Sequence, residues 1–177
     1  MLACDFLTAE TAFLQRIYVL FFISLATRRI EYIASSSKPD GRWVAQQARN
    51  LVMQLGDEHP FQFLVHDRDT KFTHAFDDMF RTEGIRVIRT PIQAPNAPAE
   101  RWVRTLRADC LDRILILGRR HLKHVLRVYR RHYNEHRPHR ALDLFPPDGG
   151  DPPPLDALDC LQRPDLVGGL IHEYKAA

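Results

Sequence analysis

Cysteine is scarce in this sequence, and its spacing forms no recognisable pair. Cys4, Cys110 and Cys160 are odd in number and lie far apart in a chain of 177 residues, without any Cys-x-x-Cys motif. This pattern argues against a disulfide framework and against a thiolate zinc site. It favours a reducing compartment, so we expect a cytoplasmic protein.

The sequence also lacks a long apolar run. Its most apolar stretch, Ile17–Ala26, has ten residues, whereas a membrane-spanning helix needs about 20. The stretch is rich in aromatic and β-branched side chains and therefore predicts a buried strand. It lies too far inside the chain, and resembles a signal peptide too little, to direct secretion. We expect no membrane partner.

Basic residues are unevenly distributed. Between Arg101 and Arg140 there are twelve Lys/Arg and three Asp/Glu, a net charge of +9, while the whole chain carries +3 and the remainder therefore −6. A basic block beside an acidic remainder is typical of a protein that binds a polyanion with one face. For any single arginine in the block, a solvated helix face is the simpler interpretation.

Hydrophobic periodicity predicts five strands and four helices. The predicted strands are Met1–Thr8, Phe13–Leu25, Arg29–Ser35, Phe61–His66 and Ile85–Thr90. The first predicted helix begins after Asp40, a suitable N-cap, and stops at Gly56; the other predicted helices span Lys71–Thr82, about Asn96–Leu111 and Arg119–His136. The first three strands can pair as an antiparallel meander, and the last two can be joined by helical crossovers. The order predicts an α/β fold with a mixed five-stranded sheet flanked by helices.

The C-terminal part differs in composition from the rest. From Asp143 onward the chain is rich in proline and has seven Asp/Glu against Arg163 and Lys175. We therefore predict a folded domain at 1–142 and an extended, acidic tail at 143–177, with Leu166–Tyr174 packing back on the domain.

Two aspartates follow the fourth predicted strand. The apolar run ends at Asp67 and Asp69, and a helical pattern begins shortly afterwards. In open α/β sheets, functional sites form outside the carboxyl ends of the strands. The alternative is that Asp69, or the adjacent Thr70, only caps the next helix.

Two further acids are candidates for the same site. Asp5 interrupts the first strand, where a carboxylate is costly unless it is paired, metal-bound or at a sheet margin. Glu100 falls in the first turns of the helix that follows the proline-punctuated loop Pro91–Pro98. A glutamate there also favours the helix dipole, and Asn96 is a suitable cap, so a purely structural role is open as well.

Four short motifs surround these acids. In chain order they are Ala-Cys-Asp-Phe, His-Asp-Arg-Asp-Thr-Lys-Phe, Asn-Ala-Pro-Ala-Glu-Arg-Trp-Val-Arg-Thr-Leu-Arg and His-Tyr-Asn-Glu-His-Arg-Pro-His-Arg-Ala-Leu. Together they resemble the catalytic core of the DDE integrases and insertion-sequence transposases, which has a ribonuclease-H-like fold. The resemblance extends from roughly Met1 to Pro147, and it implies that 1–142 is an integrase catalytic core.

The resemblance implies a metal site. In the family, an Asp on the first strand, an Asp after the fourth strand and a Glu on the following helix hold two divalent metal ions. The matching residues are Asp5, Asp67 and Glu100, which are thus the expected catalytic residues and metal ligands. The expected cofactor is a pair of Mg²⁺ ions, which prefer oxygen ligands and for which Mn²⁺ can substitute. The family has Gly where this chain has Asp69, so whether Asp69 joins the metal site stays open.

The resemblance also implies DNA-binding residues. Arg104 and Arg107 lie four and seven residues after Glu100 on the same side of the helix, where the family often places basic residues that grip DNA phosphates. A zinc site is not favoured, because the histidines of the basic block have no cysteine nearby. The motif from Tyr133 to His139 matches the family's helix-ending motif, and we expect a mainly structural role for it.

The leading hypothesis is therefore a transposase or integrase catalytic domain, associated with the nucleoid, that cleaves DNA strands and transfers them as a homo-oligomer assembled on DNA. One alternative is a ribonuclease-H-like nuclease that hydrolyses but never joins strands. Another is a truncated, inactive transposase remnant that at most binds DNA. Little chain precedes Asp5 for an end-recognition domain, which favours the remnant; the three acids favour an enzyme.

Overall fold

The computed structural model of the protein describes residues 1–56, 58–90, 97–149, 161–173 and 175–176. Five strands form its central sheet: Leu2–Glu10 (β1), Arg16–Ser24 (β2), Ile30–Ser36 (β3), Phe63–His66 (β4) and Arg86–Arg89 (β5). Four helices cover it: Gly41–Leu55 (α1), His74–Thr82 (α2), Ala97–Asp109 (α3) and Arg119–Glu135 (α4). The predicted mixed five-stranded sheet is confirmed.

The sheet has the spatial order β3-β2-β1-β4-β5. β1, β2 and β3 pair antiparallel, whereas β4 pairs parallel with both β1 and β5. Alternate side chains of the central strands enter two separate cores. Ala3 and Phe21 pack under α3 and α4, while Cys4 and Phe22 pack under α1 and α2. Burial on both faces explains why β2 reads as an unbroken apolar run. By the same alternation, Asp5 lies on the α3–α4 face.

α1 forms as the sequence predicts. The Asp40 carboxylate accepts a hydrogen bond of 2.7 Å from the backbone N–H of Trp43, which satisfies one of the unpaired donors at the helix start. The helix ends at Gly56, whose φ of +70° is a left-handed conformation that glycine adopts without steric cost.

α2 begins three residues later than predicted. Its N-cap position is Thr73, which makes no side-chain capping bond, so neither Asp69 nor Thr70 caps this helix. The reason is local, because the Asp69 carboxylate accepts the backbone N–H of Lys71 at 2.9 Å. Such a side-chain bond stabilises a turn that competes with helical backbone hydrogen bonding.

α3 ends at Asp109, two residues before the predicted end, because Cys110 leaves helical geometry with a φ of −140°. A short 3₁₀ turn, Leu111–Arg113, follows. The predicted cap Asn96 and most of the predicted proline loop lie outside the described residues.

Side chains of α4 bind the backbone of β3 through hydrogen bonds. Asn134 accepts the N–H of Ile30 at 2.9 Å and donates to its carbonyl at 3.1 Å, and Arg130 donates to the carbonyls of Ile30 and Glu31. The expected structural role of the helix-ending motif is thus confirmed for Asn134.

The tail packs back on the core. Four two-residue strands, Leu161–Gln162 (β6), Asp165–Leu166 (β7), Ile171–His172 (β8) and Lys175–Ala176 (β9), pair as β6 with β9 and β7 with β8. Ile171 is buried in the core of the α3–α4 face, with Leu166 and Val167 packed against that core. The predicted return of 166–173 is confirmed, and Tyr174 lies outside the described residues. None of the helices in the described part of the chain is long and apolar enough to cross a membrane.

Candidate active site

Asp5 and Asp67 are brought together by the parallel pairing of β1 with β4. Leu2 lies opposite Leu64 and Ala3 opposite Val65, and continuing this register places Asp5 beside Asp67. Neighbouring strands are about 4.8 Å apart. Asp5 therefore lies within β1, and Asp67 follows the last residue of the neighbouring strand β4 directly.

Glu100 lies in the first turn of α3. Ala99, Trp102 and Leu106 are buried on the α3–α4 face and hold the helix on the sheet. Arg107 fixes the helix along β1, because its guanidinium donates to the Thr8 carbonyl at 2.7 Å. Glu100 thus lies near the start of α3, the helix that covers the face of the sheet on which Asp5 lies.

The pKa of Asp5 reports how these acids interact. Burial raises the pKa of Asp5 to about 6, and a 2.7 Å hydrogen bond from the Phe6 N–H opposes the rise. The negative charges of Asp67, Glu100 and Asp69 each raise this pKa further. Asp5 therefore senses all three other acids, and like charges gathered this way cost stability until a cation or protons compensate them.

The described residues do not complete a metal site. No group of three His, Cys, Asp or Glu side chains in them is close enough together to hold a metal ion. The register of β1 and β4 brings Asp5 next to Asp67, and Glu100 lies close enough to raise the pKa of Asp5. The donor chemistry fits a hard divalent cation, since all the acids offer oxygen and their repulsion would be relieved by positive charge. The triad as a metal site stays a prediction.

The structure separates the roles of Asp67 and Asp69. Both oxygens of Asp69 are held by Lys71, one by its backbone N–H at 2.9 Å and the other by its ammonium at 2.6 Å. The Lys71 ammonium also lies over the rings of Phe6 and Tyr18. Within the described ranges, Asp67 accepts only the Asp69 N–H, at 3.1 Å, through one oxygen. Asp67 is therefore the better placed of the two to bind a metal ion.

A buried polar network lies directly behind Asp67 and was not foreseen from the sequence. His66 is 1% exposed; its ring nitrogens lie 2.5 Å from the Asp67 carbonyl and 3.1 Å from the Asp77 carboxylate. Asp77 is fully buried and also accepts from Arg89 at 2.6 Å and Arg81 at 3.4 Å. The available signal was an ionisable residue, His66, at the end of an apolar strand.

The two predicted DNA-binding arginines differ in their surroundings. Arg107 donates to Thr8 and lies 3.6 Å from the Asp112 carboxylate, so part of its hydrogen-bonding capacity is used within the fold. Arg104 is exposed and makes no side-chain hydrogen bond or ion pair within the ranges that the structure describes. Arg104 is thus the freer of the two to contact an external anion.

Comparison with known proteins addresses the fold. The family model described as "Integrase core domain" matches residues 84–147, which include Glu100 and the helix-ending motif. No curated protein sequence matches the chain. The catalytic domain of Mos1 mariner transposase is structurally similar, with a TM-score of 0.61 and 14% identity over 72% of this chain and 68% of that one.

Structures of retroviral integrases are similar to this chain as well. The HTLV-2 integrase catalytic core domain in complex with magnesium superposes with a TM-score of 0.55 and 10% identity, over 78% of this chain and 86% of that one. The protein has the fold of integrase and transposase catalytic cores. A chain of the simian T-cell lymphotropic virus intasome gives a TM-score of 0.64 at 12% identity, over 98% of this chain and 66% of that one. The resemblance seen in the sequence, and the ribonuclease-H-like fold that it implies, are confirmed.

Proposed function

We propose that the protein is the catalytic domain of a transposase or integrase and carries out metal-dependent cleavage and transfer of DNA strands. The observation that carries the proposal is the placement of Asp5 beside Asp67, with Glu100 near enough to raise the pKa of Asp5. This arrangement occurs on a fold shared with transposase and integrase catalytic cores.

The residues around Asp67 prepare it for this role. One Asp67 oxygen is fixed by the Asp69 N–H, and its backbone carbonyl is held by the buried ring of His66. Asp5, Asp67 and Glu100 would hold Mg²⁺ or Mn²⁺. The chemistry that such metal ions would supply is activation of a water or a DNA 3′-hydroxyl and stabilisation of the leaving oxygen in an in-line displacement. Fixing a ligand in advance lowers the ordering cost of binding.

DNA is the proposed partner. The basic block, with its net charge of +9, contains the exposed Arg104 one turn after Glu100 on α3, and phosphate contacts of this kind position DNA without reading its sequence. The HTLV-2 core is described in a trimeric form, and the simian virus chain comes from an intasome. For this chain we propose a homo-oligomer that assembles on nucleoid DNA.

A DNA-binding protein without catalytic activity is the second candidate. It is favoured by the lack of three ligating side chains at metal-binding distance in the described residues. In this case the basic block would still bind DNA, while divalent metal would neither stabilise the fold nor support cleavage.

Metal binding tests the proposal directly. Saturating Mn²⁺ should raise the melting temperature by about 5 °C, because a ligand at 100 times its Kd stabilises the folded state by about 2.7 kcal/mol. Asp67→Asn should abolish the shift. Asp69→Asn is the matched control and should retain most of it, because Asp69 is held by Lys71.

Activity on two substrates, a branched DNA and an RNA–DNA hybrid, then separates the candidate functions. We expect Mn²⁺-dependent nicking of a labelled branched DNA, lost in Asp67→Asn and retained in Asp69→Asn. Cleavage of an RNA–DNA hybrid alone would point to the nuclease. A wild-type protein that binds DNA but shows neither a metal-induced melting shift nor cleavage would contradict the enzymatic proposal and support the second candidate.

A further inference from the structure

A second charged region of the structure is not explained by the carboxylate site. A cleft of about 380 Å³ lies between the β2–β3 turn, α3 and the end of α4. Its charged and polar lining includes Arg28, Arg101, Trp102, Arg137, His139 and Arg140. Arg137 and His139 belong to the helix-ending motif, and Arg140 follows it directly. The hydrogen bonds between Asn134 and β3 therefore explain only part of that motif.

The cleft concentrates positive charge with little compensation. Arg28, Arg101 and Arg140 make no ion pair or side-chain hydrogen bond in the part of the chain that the structure describes. Arg137 is partly neutralised by the Asp109 carboxylate at 3.2 Å. Four guanidinium groups facing one space create a potential that favours an anion.

The lining also contains buried nitrogen atoms without partners. Trp102 is 1% exposed, and its indole N–H finds no acceptor among the described residues. The Nε2 atom of His139 is likewise buried and unpartnered there. Burial, together with the positive charges of Arg137 and Arg28, lowers the pKa of His139. An indole N–H can only donate, so the group that would satisfy it must accept hydrogen bonds.

Arg28 occupies a strained backbone position. Its φ is +62°, in the left-handed region that glycine adopts readily and other residues avoid. Strained non-glycine residues cluster at functional sites. The Arg28 side chain makes no bond within the described residues that would explain why an arginine is kept in this turn.

We propose that this cleft binds a phosphate group of a nucleic-acid strand, with Arg28, Arg101 and Arg140 as the charged donors. Guanidinium groups suit phosphate because their planar donors bind two oxygens at once. Arg101 follows Glu100 directly in α3, so a strand held here passes next to the carboxylate site. The identity of the ligand as DNA rests on the proposed function, whereas the presence of an anion site does not.

Replacement of Arg28 by glycine allows a test in which DNA affinity falls without a loss of folding stability. Arg28→Gly relieves the backbone strain, so its melting temperature should equal or exceed that of the wild type. The double variant Arg28→Gly/Arg140→Gln should bind a fluorescent DNA duplex about tenfold more weakly, measured by anisotropy in EDTA, and with a shallower salt dependence. Leu14→Gly is the matched control, because Leu14 is exposed and has a φ of +57° in another turn; it should leave DNA affinity unchanged.

Inorganic phosphate tests whether the cleft binds anions independently of whether its natural ligand is DNA. Millimolar phosphate should raise the melting temperature of the wild type more than that of the double variant. If the wild type binds DNA and the double variant binds it equally well, the cleft proposal is wrong while the proposed function stands. If the wild type binds no DNA but phosphate still stabilises it through these two arginines, the anion site is supported, while its assignment to DNA and the proposed function both fail.

Discussion

Asp77 and Asp5 lie against opposite faces of the same sheet, Asp77 fully buried and Asp5 partly buried, and their charged surroundings differ. Asp77 on the α1–α2 side is fully buried and receives hydrogen bonds from His66, Arg89 and Arg81. Among the described residues, Asp5 on the α3–α4 side accepts one backbone hydrogen bond, and the charged groups that shift its pKa are all acids. The first carboxylate is fully buried with its counter-charges, whereas the second is partly buried among like charges.

This difference distinguishes a carboxylate that stabilises the fold from one that the proposed function would use. Buried charges that are paired and hydrogen-bonded hold an element in place, and removing one partner is expensive. Buried charges gathered with others of the same sign destabilise the fold, and such clusters mark sites built for a cation or a proton. The sign of the neighbouring charges therefore separates Asp77 from Asp5.

The largest expected effect is on the paired side. Asp77→Ala should destabilise the protein by about 3–5 kcal/mol, because His66 and Arg89 lose their common acceptor. For a chain of this size the melting temperature should fall by about 10 °C. Asp78→Ala is the control, since Asp78 is exposed and its ion pair with Arg81 is worth little. Similar losses in both variants would contradict the distinction.

Replacing Asp5 is expected to stabilise the protein, the opposite of the effect of replacing Asp77. The folded-state pKa of Asp5 is raised from 3.8 to about 6, so the favourable contribution of its protonated form is complete below pH 3.8 and is lost as the pH rises through about 6. Asp5→Asn should therefore be more stable than the wild type at pH 7.5, by about 1–2 kcal/mol after allowance for solvent screening.

Urea unfolding at two pH values measures this effect. The advantage of Asp5→Asn should be clear at pH 7.5 and mostly gone at pH 4.5, because Asp5 is then largely protonated in the folded wild type. An advantage of equal size at both pH values would show that repulsion among the acids is not its cause. The same variant should lose the Mn²⁺-induced melting shift.

Smaller losses of stability are expected when the two arginine partners of Asp77 are replaced, and their sizes should differ. Arg89 lies 2.6 Å from Asp77 and Arg81 lies 3.4 Å from it, and both guanidinium groups are about half exposed. Arg89→Gln should cost about 1 kcal/mol, and Arg81→Gln less than half of that, because the shorter charge-assisted bond is the stronger one. Thermal unfolding of both variants would reveal the order, and a larger loss in Arg81→Gln would reverse it.

The sequence was informative about the fold because its strands and helices are strongly periodic. The five sheet strands, the Asp40 cap and the Gly56 end of α1 were all predicted, since each depends on residues near in sequence. The start of α2 was predicted wrongly, because periodicity does not show that the Asp69 side chain binds the Lys71 backbone and stabilises a turn instead.

The candidate site was predictable only where local patterns mark it. An aspartate at the end of an apolar strand identified Asp67, and motif resemblance supplied Asp5 and Glu100. The bond between His66 and Asp77 joins residues eleven positions apart, and the cationic cleft joins Arg28 to Arg140. Such pairings depend on tertiary geometry, which no local pattern contains.

The parallel pairing of β1 with β4 has a consequence for the order of folding. The β1–β2–β3 meander needs only short connections, whereas Leu2 must meet Leu64 across the entire meander and α1. Closing that larger loop costs more chain entropy, and contacts distant in sequence form slowly. We therefore expect Asp5 and Asp67 to meet late, after much apolar surface is already buried, so that their mutual repulsion opposes only the final steps of folding.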